Sequence, residues 1–156
     1  MESAPPFKIV IDSRERLPLS FGSWPTVVDG LKTGDYSIQG FEDRISLERK
    51  SLYDLFACVG RERERFEREL VRLAAMQYGA VVVEGNLADV LAGVPRSLVS
   101  GKAALGSLLA WSVDHRTPVF FCGNRRMAGA TVLKLLKKWF KTFVAEPAGM
   151  KGRSKL

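Results

Sequence analysis

Two carboxylates and a lysine in the first third of the sequence have the types and spacing to form a phosphodiester-cleaving site. Asp35 ends one apolar-flanked run, and Glu48-Arg49-Lys50 ends the next, with a short polar turn between them. In the second run apolar and polar residues alternate, and this period of two predicts a strand with Glu48 and Lys50 on one face. If Asp35 lies on the neighbouring strand, both carboxylates and the ammonium meet at one point. Oxygen ligands of this kind suit a hard cation such as Mg²⁺ or Mn²⁺, an arrangement typical of metal-dependent phosphodiesterases.

The charge and composition indicate one globular domain with a polyanionic partner. The 156 residues are 46% hydrophobic and 26% charged, and the formal net charge is +7. A basic excess of this size favours nucleic acid over an anionic membrane, and no apolar run is long enough to span a bilayer. The single His115 excludes nucleases that need two catalytic histidines. Cys58 and Cys122 each lie among apolar residues, which indicates buried thiols rather than a disulfide or a zinc site.

The elements that must position these residues follow an α/β order. Strands are predicted over residues 7–12, 26–38, 44–50, 80–84 and 118–123. Helices are predicted over residues 52–59, 61–77, 87–91, 102–113 and 125–144, with Ser51 as the N-cap of the first. The second strand is expected to bend at Gly34, and the first three strands are expected to form an antiparallel meander. On the second helix, the spacing predicts the facing ion pairs Glu64–Arg68 and Arg65–Glu69. The fold class is therefore α/β, with a mixed central sheet flanked by helices.

The two ends of the chain are expected to lie outside the folded domain. Residues 1–6 are predicted to be disordered, residues 7–145 to form the domain, and residues 146–156 to form a flexible basic tail. The tail closes with Ser154-Lys155-Leu156, which matches the peroxisomal address. Because three residues reach such a match easily by chance, we interpret it as coincidental.

Several blocks of the sequence, taken in order, match a known pattern. They are Ile11-Asp12-Ser13-Arg14-Glu15, Gly34-Asp35-Tyr36, Glu48-Arg49-Lys50-Ser51-Leu52-Tyr53-Asp54, and Gly60-Arg61 followed by Arg65-Phe66-Glu67-Arg68-Glu69-Leu70. With these blocks the chain resembles the nuclease domain of the XPF-type structure-specific endonucleases, which belong to the PD-(D/E)xK superfamily. The resemblance covers about residues 7–144 and implies a restriction-endonuclease-like fold. Larger members of the family carry a further tandem helix-hairpin-helix module. The chain is more similar to the compact stand-alone phage or bacterial versions.

The resemblance implies a role for each residue of the central site. Asp35 and Glu48 are expected to ligate the metal, with the main-chain carbonyl of Arg49 as a third ligand. Lys50 is expected to position the attacking water and to offset charge on the phosphate in the transition state. Asp12 is expected to support the metal directly or through water. Each also has a plain structural alternative: a turn acid for Asp35, a surface ion pair for Glu48 and Lys50, and a strand-end acid beside a turn for Asp12.

Four further residues are expected to support the site. Arg14 and Arg65, together with Lys50, are expected to contact DNA, because a guanidinium group binds phosphate with two hydrogen bonds. An internal ion pair between Arg14 and Glu15 explains both of these residues almost as well. Asp54 either orients Lys50 or interacts with the dipole of the helix in which it lies.

The implied activity is that of a Mg²⁺- or Mn²⁺-dependent DNA endonuclease, acting on branched or flap-type DNA in repair or recombination and leaving a 5′-phosphate. The expected partners are DNA and a second subunit, in a homodimer or heterodimer that forms through the last two helices. The expected location is the cytoplasm of a bacterial or phage-infected cell, or the nucleus of a eukaryotic one. Two alternatives stay open: a non-catalytic DNA-binding or scaffold subunit of a nuclease pair, and an exonuclease or restriction-type enzyme of the same superfamily.

Overall fold

The computed structural model describes residues 3–146, which are built around a six-stranded mixed sheet. In chain order the strands are β1 (Ile9–Asp12), β2 (Thr26–Asp29), β3 (Tyr36–Ile38), β4 (Ile45–Lys50), β5 (Tyr78–Val83) and β6 (Val119–Phe121). In space they run β2-β1-β3-β4-β5-β6. The pairs β1–β2, β4–β5 and β5–β6 are parallel, whereas β3 is antiparallel to both of its neighbours. The predicted mixed sheet is confirmed.

The helices of residues 3–146 flank this sheet, and polar side chains cap most of them. They are α1 (Leu52–Val59), α2 (Arg63–Ala74), α3 (Leu87–Ala92), α4 (Gly101–Asp114) and α5 (Arg125–Phe140), which continues as a π-helical turn over Lys141–Ala145. Ser51, Asn86, Ser100 and Asn124 each accept a hydrogen bond from a backbone N–H group in the first turn that follows. Such caps satisfy donors that the helix itself leaves unpaired. The cap predicted at Ser51 is therefore confirmed.

The stretch from residue 26 to residue 38 forms two strands, so the prediction of one strand bent at Gly34 is wrong. β2 lies parallel to β1 at the edge of the sheet, and β3 pairs with the other side of β1. The predicted antiparallel meander holds only for β1, β3 and β4. The reason lies in the loop between β1 and β2, which buries Leu19 and Phe21. That loop has the length that a parallel crossover requires.

The two faces of the sheet carry separate apolar cores, because side chains alternate along each strand. On one face, Ile45 and Leu47 of β4 pack in a cluster that includes Val132 and Leu136 of α5. On the other face, the side chains of β5 pack with those of α1, α2 and α4. Glu48 and Lys50 project toward this second face, so they lie beneath the helices that follow them in the chain.

The ends of the chain lie beyond the described residues. Outside the description are residues 147–156 of the tail predicted over residues 146–156, with Ser154-Lys155-Leu156, and the first two residues of the segment predicted to be disordered. The predicted limits of the domain therefore stay predictions. Within residues 3–146, no helix is both long and apolar enough to cross a membrane.

Gly34 allows the close approach of β3 and β4 that brings Asp35 beside the end of β4. Its φ angle is +76°, and a Cβ atom at this position would overlap the hydroxyl of Ser46. That hydroxyl is itself fixed, because it donates a hydrogen bond of 2.6 Å to the carbonyl of Thr33. Only glycine satisfies both the backbone angle and the space.

Gly34→Ala should therefore lower the free energy of unfolding by about 2 to 4 kcal/mol, since it combines backbone strain with an overlap in a packed region. Urea denaturation measures this loss. Gly40→Ala is the matched control: its φ angle is +90°, but no atom lies within 4 Å of the added Cβ. Equal losses in the two variants would contradict the steric explanation.

Candidate active site

Asp35 is held beside the end of β4 by main-chain hydrogen bonds. Its N–H group donates to the carbonyl of Leu47 at 2.9 Å, and its own carbonyl accepts from the N–H group of Asp12 at 2.9 Å. Its carboxylate oxygen Oδ2 accepts a 2.8 Å hydrogen bond from the N–H group of Arg49. The carboxylate is thereby fixed next to the peptide that links Glu48 to Arg49.

Glu48 and Lys50 form a buried ion pair on the same face of β4. Lys50 Nζ lies 3.0 Å from Glu48 Oε1, and the ring of Phe66 on α2 lies 5.2 Å from the same nitrogen. Glu48 Oε2 is also buried but has no hydrogen-bond partner. A buried carboxylate oxygen without a partner is unfavourable, so this atom marks a position where a cation or a donor would stabilise the site.

Burial and neighbouring negative charges raise the pKa of both acids. Burial raises the pKa of Asp35 to about 6, against the opposing effect of the hydrogen bond from Arg49. The pKa of Glu48 lies well above its usual value, because of burial first and the charge of Asp35 second. Burial lowers the pKa of Lys50, but its attraction to Glu48 outweighs this and leaves that pKa above the ordinary value. Lys50 is therefore an ammonium group at neutral pH.

The oxygen donors at this point suit Mg²⁺ better than a metal that needs a complete protein cage. No group of three or more His, Cys, Asp or Glu side chains within residues 3–146 is placed to hold a metal ion. Asp35 and Glu48 offer two carboxylates, and strand alternation directs the carbonyl of Arg49 to the same side as that of Leu47, toward Asp35. Mg²⁺ commonly takes one or two carboxylates and keeps several waters. The donor set and the unpartnered oxygen of Glu48 fit such an ion.

Asp12 lies next to this cluster, but its carboxylate is engaged elsewhere. Its Oδ2 accepts from Arg14 Nε at 2.9 Å, and its Oδ1 accepts from the N–H group of Leu31 at 2.9 Å. Arg14 also donates to the carbonyl of Leu31 at 2.7 Å, although most of its side chain, 73%, is exposed. The metal contact expected for Asp12 stays a prediction. The structure shows in addition that the Asp12 carboxylate holds the side chain of Arg14 in place.

The side chain of Arg49 lies on the opposite face of the sheet from Glu48. Arg49 Nε contacts Glu84 Oε1 at 2.7 Å, and its Nη1 lies 3.7 Å from Glu15 Oε2. Glu15 also accepts a 2.8 Å hydrogen bond from the hydroxyl of Tyr36. The alternative in which Glu15 pairs with Arg14 is not what the structure shows, since Arg14 binds Asp12 instead. Glu15 and the Arg49 side chain therefore support the end of β4 on the face of the sheet opposite the acid pair.

The remaining predicted residues occupy the rim. Asp54 is exposed in the first turn of α1, and its N–H group donates to the Ser51 hydroxyl; the ion pair of Lys50 is with Glu48 rather than with Asp54. Arg65 is 77% exposed. It borders, with Lys50 and Glu69, a small cleft of about 90 Å³. The structure thus brings Arg65 to the entrance of the site.

Glu69 is a candidate site residue that the sequence analysis missed. The spacing predicted a surface ion pair between Glu69 and Arg65, but Arg65 lies 3.8 Å from Glu62 instead. The charge of Glu69 raises the pKa of both Asp35 and Glu48, so it faces the acid pair. A signal was present in the sequence: Glu69 falls within the helical stripe of Phe66, Leu70 and Leu73, which is the buried face of α2.

Comparisons with known proteins agree with this architecture. The ERCC4 domain family matches residues 11–135 of the sequence. The solved structure of XPF from Aeropyrum pernix superposes with a TM-score of 0.68 at 20% identity and covers 86% of this chain and 65% of that one. XPF from Aeropyrum pernix in complex with DNA gives a TM-score of 0.66 at 21% identity and covers 86% of this chain and 66% of that one. No curated protein gives a sequence match.

The structural likeness confirms the predicted restriction-endonuclease-like α/β fold. It extends over a little less than two thirds of the length of the solved relatives. At this level of identity, the likeness establishes the fold and leaves the chemistry to be argued from the residues of the site.

Asp35→Asn should stabilise the metal-free chain at neutral pH. Because burial raises the pKa of Asp35 from 3.8 to about 6, its ionised form is unfavourable in the folded state. The penalty is absent below about pH 4, grows between about pH 4 and 6, and is complete above that range, at about 3 kcal/mol. Urea denaturation in EDTA should show this gain at about pH 8 and no gain at about pH 3.5.

Asp43→Asn provides the control, since Asp43 lies exposed in the turn before β4. It should change the free energy of unfolding at neither pH. If Asp35→Asn gave no gain at the higher pH, the carboxylate of Asp35 would not be under the unfavourable burial that the structure indicates.

Proposed function

The chain belongs to the ERCC4 domain family, and from this premise we propose that it is a metal-dependent DNA endonuclease. Its proposed substrates are branched or flap-type DNA structures of the kind that arise in repair and recombination. The observation that carries the proposal is the buried Glu48–Lys50 pair, whose second carboxylate oxygen has no partner, with Asp35 fixed beside it. One of the solved relatives is a complex with DNA, which supports DNA as the substrate.

Asp35, Glu48 and the carbonyl of Arg49 are the groups that would hold Mg²⁺ or Mn²⁺. When bound there, the cation would polarise the scissile phosphate and favour ionisation of water. The residues of the chain have their own parts in the reaction. Because Lys50 stays protonated at neutral pH, it can donate hydrogen bonds to water or to a phosphate oxygen but cannot accept a proton. Its part is to orient the attacking water and to offset negative charge on phosphorus in the transition state.

The proposed reaction is in-line hydrolysis. A water oxygen forms a bond to phosphorus as the bond to the 3′-oxygen breaks, which leaves a 3′-hydroxyl and a 5′-phosphate. Arg14 and Arg65 stand at the entrance with most of their side chains exposed, so both can reach phosphates on either side of the scissile bond. The net charge of +7 supports the approach of a polyanion. A DNA substrate would place the chain with the genome, in a bacterial cytoplasm or a eukaryotic nucleus.

We also propose that the chain forms a dimer through the region of its last two long helices. On α4, Leu109 is 53% and Val113 is 76% exposed. Leu109 lines an apolar depression of about 400 Å³ together with Val119 and Phe121 of the edge strand β6, and Val113 lies one helical turn after Leu109 on α4. Apolar surface next to an unpaired strand edge is suited to a protein partner.

Glu48→Gln should lower the rate of cleavage by roughly a thousandfold or more, because it removes a charge that would hold the cation. The assay is a gel with flap, forked, four-way-junction, nicked and linear duplex DNA, each with Mg²⁺, with Mn²⁺ and with EDTA. Asp43→Asn, in the exposed turn before β4, should cleave as the wild type does. A Glu48→Gln chain that still cuts would remove Glu48 from the proposed mechanism, and wild type that binds but never cuts would favour the non-catalytic alternative.

The same substitution gives a readout that does not depend on activity. Mn²⁺ should raise the melting temperature of the wild type, because a ligand that binds only the folded state stabilises it. Glu48→Gln should lose most of that increase, whereas Asp43→Asn should keep it. An equal increase in all three chains would show that the ion binds elsewhere.

Val113→Glu should shift the chain toward a monomer in sedimentation at tens of micromolar, since it places a charge in the proposed interface. Val71→Glu is the control, because Val71 is similarly exposed, at 58%, but lies on α2. A wild-type chain that sediments as a monomer at this concentration would contradict the dimer.

A further inference from the structure

A groove on the active-site side of the molecule lies between α1 and the loop over residues 94–99. Its volume is about 320 Å³, at the lower end of the range for small-ligand sites. One wall is the stripe of α1 that carries Tyr53, Phe56, Ala57 and Gly60, residues spaced so that they share one face of the helix. This groove is separate from the cleft that contains Lys50, which meets α1 at Cys58 instead.

The position of the groove links it to the candidate active site. Tyr53 is the third residue after Lys50 and stands in the first turn of α1. Its side chain is 63% exposed, so its ring is open to a planar ligand. A polymer that passes the acid pair and continues over the first turn of α1 would meet Tyr53 next.

The charges of the groove are of one sign. Arg61 and Arg96 both line it, and both are exposed. Within residues 3–146, its lining contains no Asp or Glu. The other lining side chains are mainly apolar, and Leu98 is fully exposed. An aromatic ring, apolar walls and two guanidinium groups together suit a ligand with flat bases and a negatively charged backbone.

The far wall of the groove is held close to α1. A Cβ atom at Gly60 would lie 3.2 Å from Cγ2 of Val99 and 3.3 Å from the carbonyl of Phe56. Arg96 has a φ angle of +64°, which is rare for a residue other than glycine and is kept only where the surrounding structure requires it. The backbone of the loop therefore presents Arg96 in a fixed direction.

We propose that this groove binds an unpaired stretch of the DNA strand next to the cleavage point. A base stacks on Tyr53, and Arg61 and Arg96 contact the adjoining phosphates. The proposal rests on the proposed function, and it assigns to this domain a surface that distinguishes a flap or fork from continuous duplex. A double helix keeps its bases stacked on one another and offers the groove no free base.

Binding measured in EDTA tests the proposal, because no cleavage step enters the measurement. The probe is a fluorescein-labelled flap duplex whose first unpaired base is 2-aminopurine, compared by anisotropy with a linear duplex of the same length. Tyr53→Ala should weaken binding of the flap by about tenfold and abolish the change in 2-aminopurine fluorescence on binding. Tyr53→Phe should retain both, since it retains the ring. Neither substitution should alter binding of the linear duplex.

Arg96→Gln tests the phosphate contact. It should weaken binding of the flap and lower the slope of log Kd against log salt concentration by about 0.7, the value for one lost contact to a single strand. Arg126→Gln is the control, because Arg126 is exposed on α5, on the opposite face of the sheet. It should leave the preference for the flap unchanged.

The outcomes separate this proposal from the function on which it rests. A wild-type chain that binds no flap in EDTA would overturn the groove, and one that also binds none with Mn²⁺ would overturn the proposed function as well. If wild type and Tyr53→Ala both bind DNA and have the same affinity for the flap, the groove proposal alone is overturned. The groove would then be a binding surface for a protein segment. Equal weakening of flap and linear duplex by Tyr53→Ala would also overturn it. Thermal melts of each variant ensure that the comparison is between folded chains.

Discussion

The buried ion pair between Glu48 and Lys50 is the constraint that the surrounding structure has to satisfy. Removing both groups from water is unfavourable, and their 3.0 Å contact satisfies only one of the two carboxylate oxygens. The apolar packing of β4 and β5 against α1 and α2 must therefore hold in place a pair that contributes little stability of its own. Phe66 covers the lysine from α2, so the helix that completes the core also completes the site. Burial of this pair therefore lowers the stability of the domain, and it places a carboxylate and an ammonium group where they can take part in chemistry.

The opposite face of the same strand end shows how that arrangement is kept rigid. The side chain of Arg49 lies on the face opposite Glu48 and binds Glu84, the residue that follows β5. Glu84 also lies 3.5 Å from Arg125 at the start of α5. Arg125 in turn donates to the carbonyl of Leu17 at 3.0 Å. One network thus connects β4, β5, α5 and the loop that follows β1. Because Arg49 and Glu84 are both largely buried, displacement of the end of β4 would leave buried ions without partners.

The sequence predicts those features of the fold and the site that depend on local pattern. The alternation through Ile45 to Lys50 predicts the strand and its faces, and Ser51 predicts the start of α1, because strand alternation and helix capping are determined by neighbouring residues. Where two distant segments compete for a partner, local pattern is insufficient. Glu15 pairs with Tyr36 and Arg49 from distant strands, while Arg14 binds Asp12. Glu69 on α2 likewise faces the acid pair. The parallel placement of β2 likewise depends on the packing of a loop against a core.

The charged groups around the candidate active site act over two ranges, one across the solvent and one at contact. The two ranges affect different stages of the approach of a phosphodiester. Exposed arginines and the net charge of +7 attract a polyanion across the solvent, within the limit that salt screening sets. The acids act only at close range: the charge of Asp35 raises the pKa of Glu48, and the charge of Glu69 raises the pKa of both Asp35 and Glu48. Lys50 offsets one of these charges, so the site as a whole still repels a phosphate at contact. Under the proposed function, a cation between the carboxylates would remove that repulsion. DNA would then be attracted from a distance with or without the metal, but its phosphate would approach the acids closely only when the metal is bound.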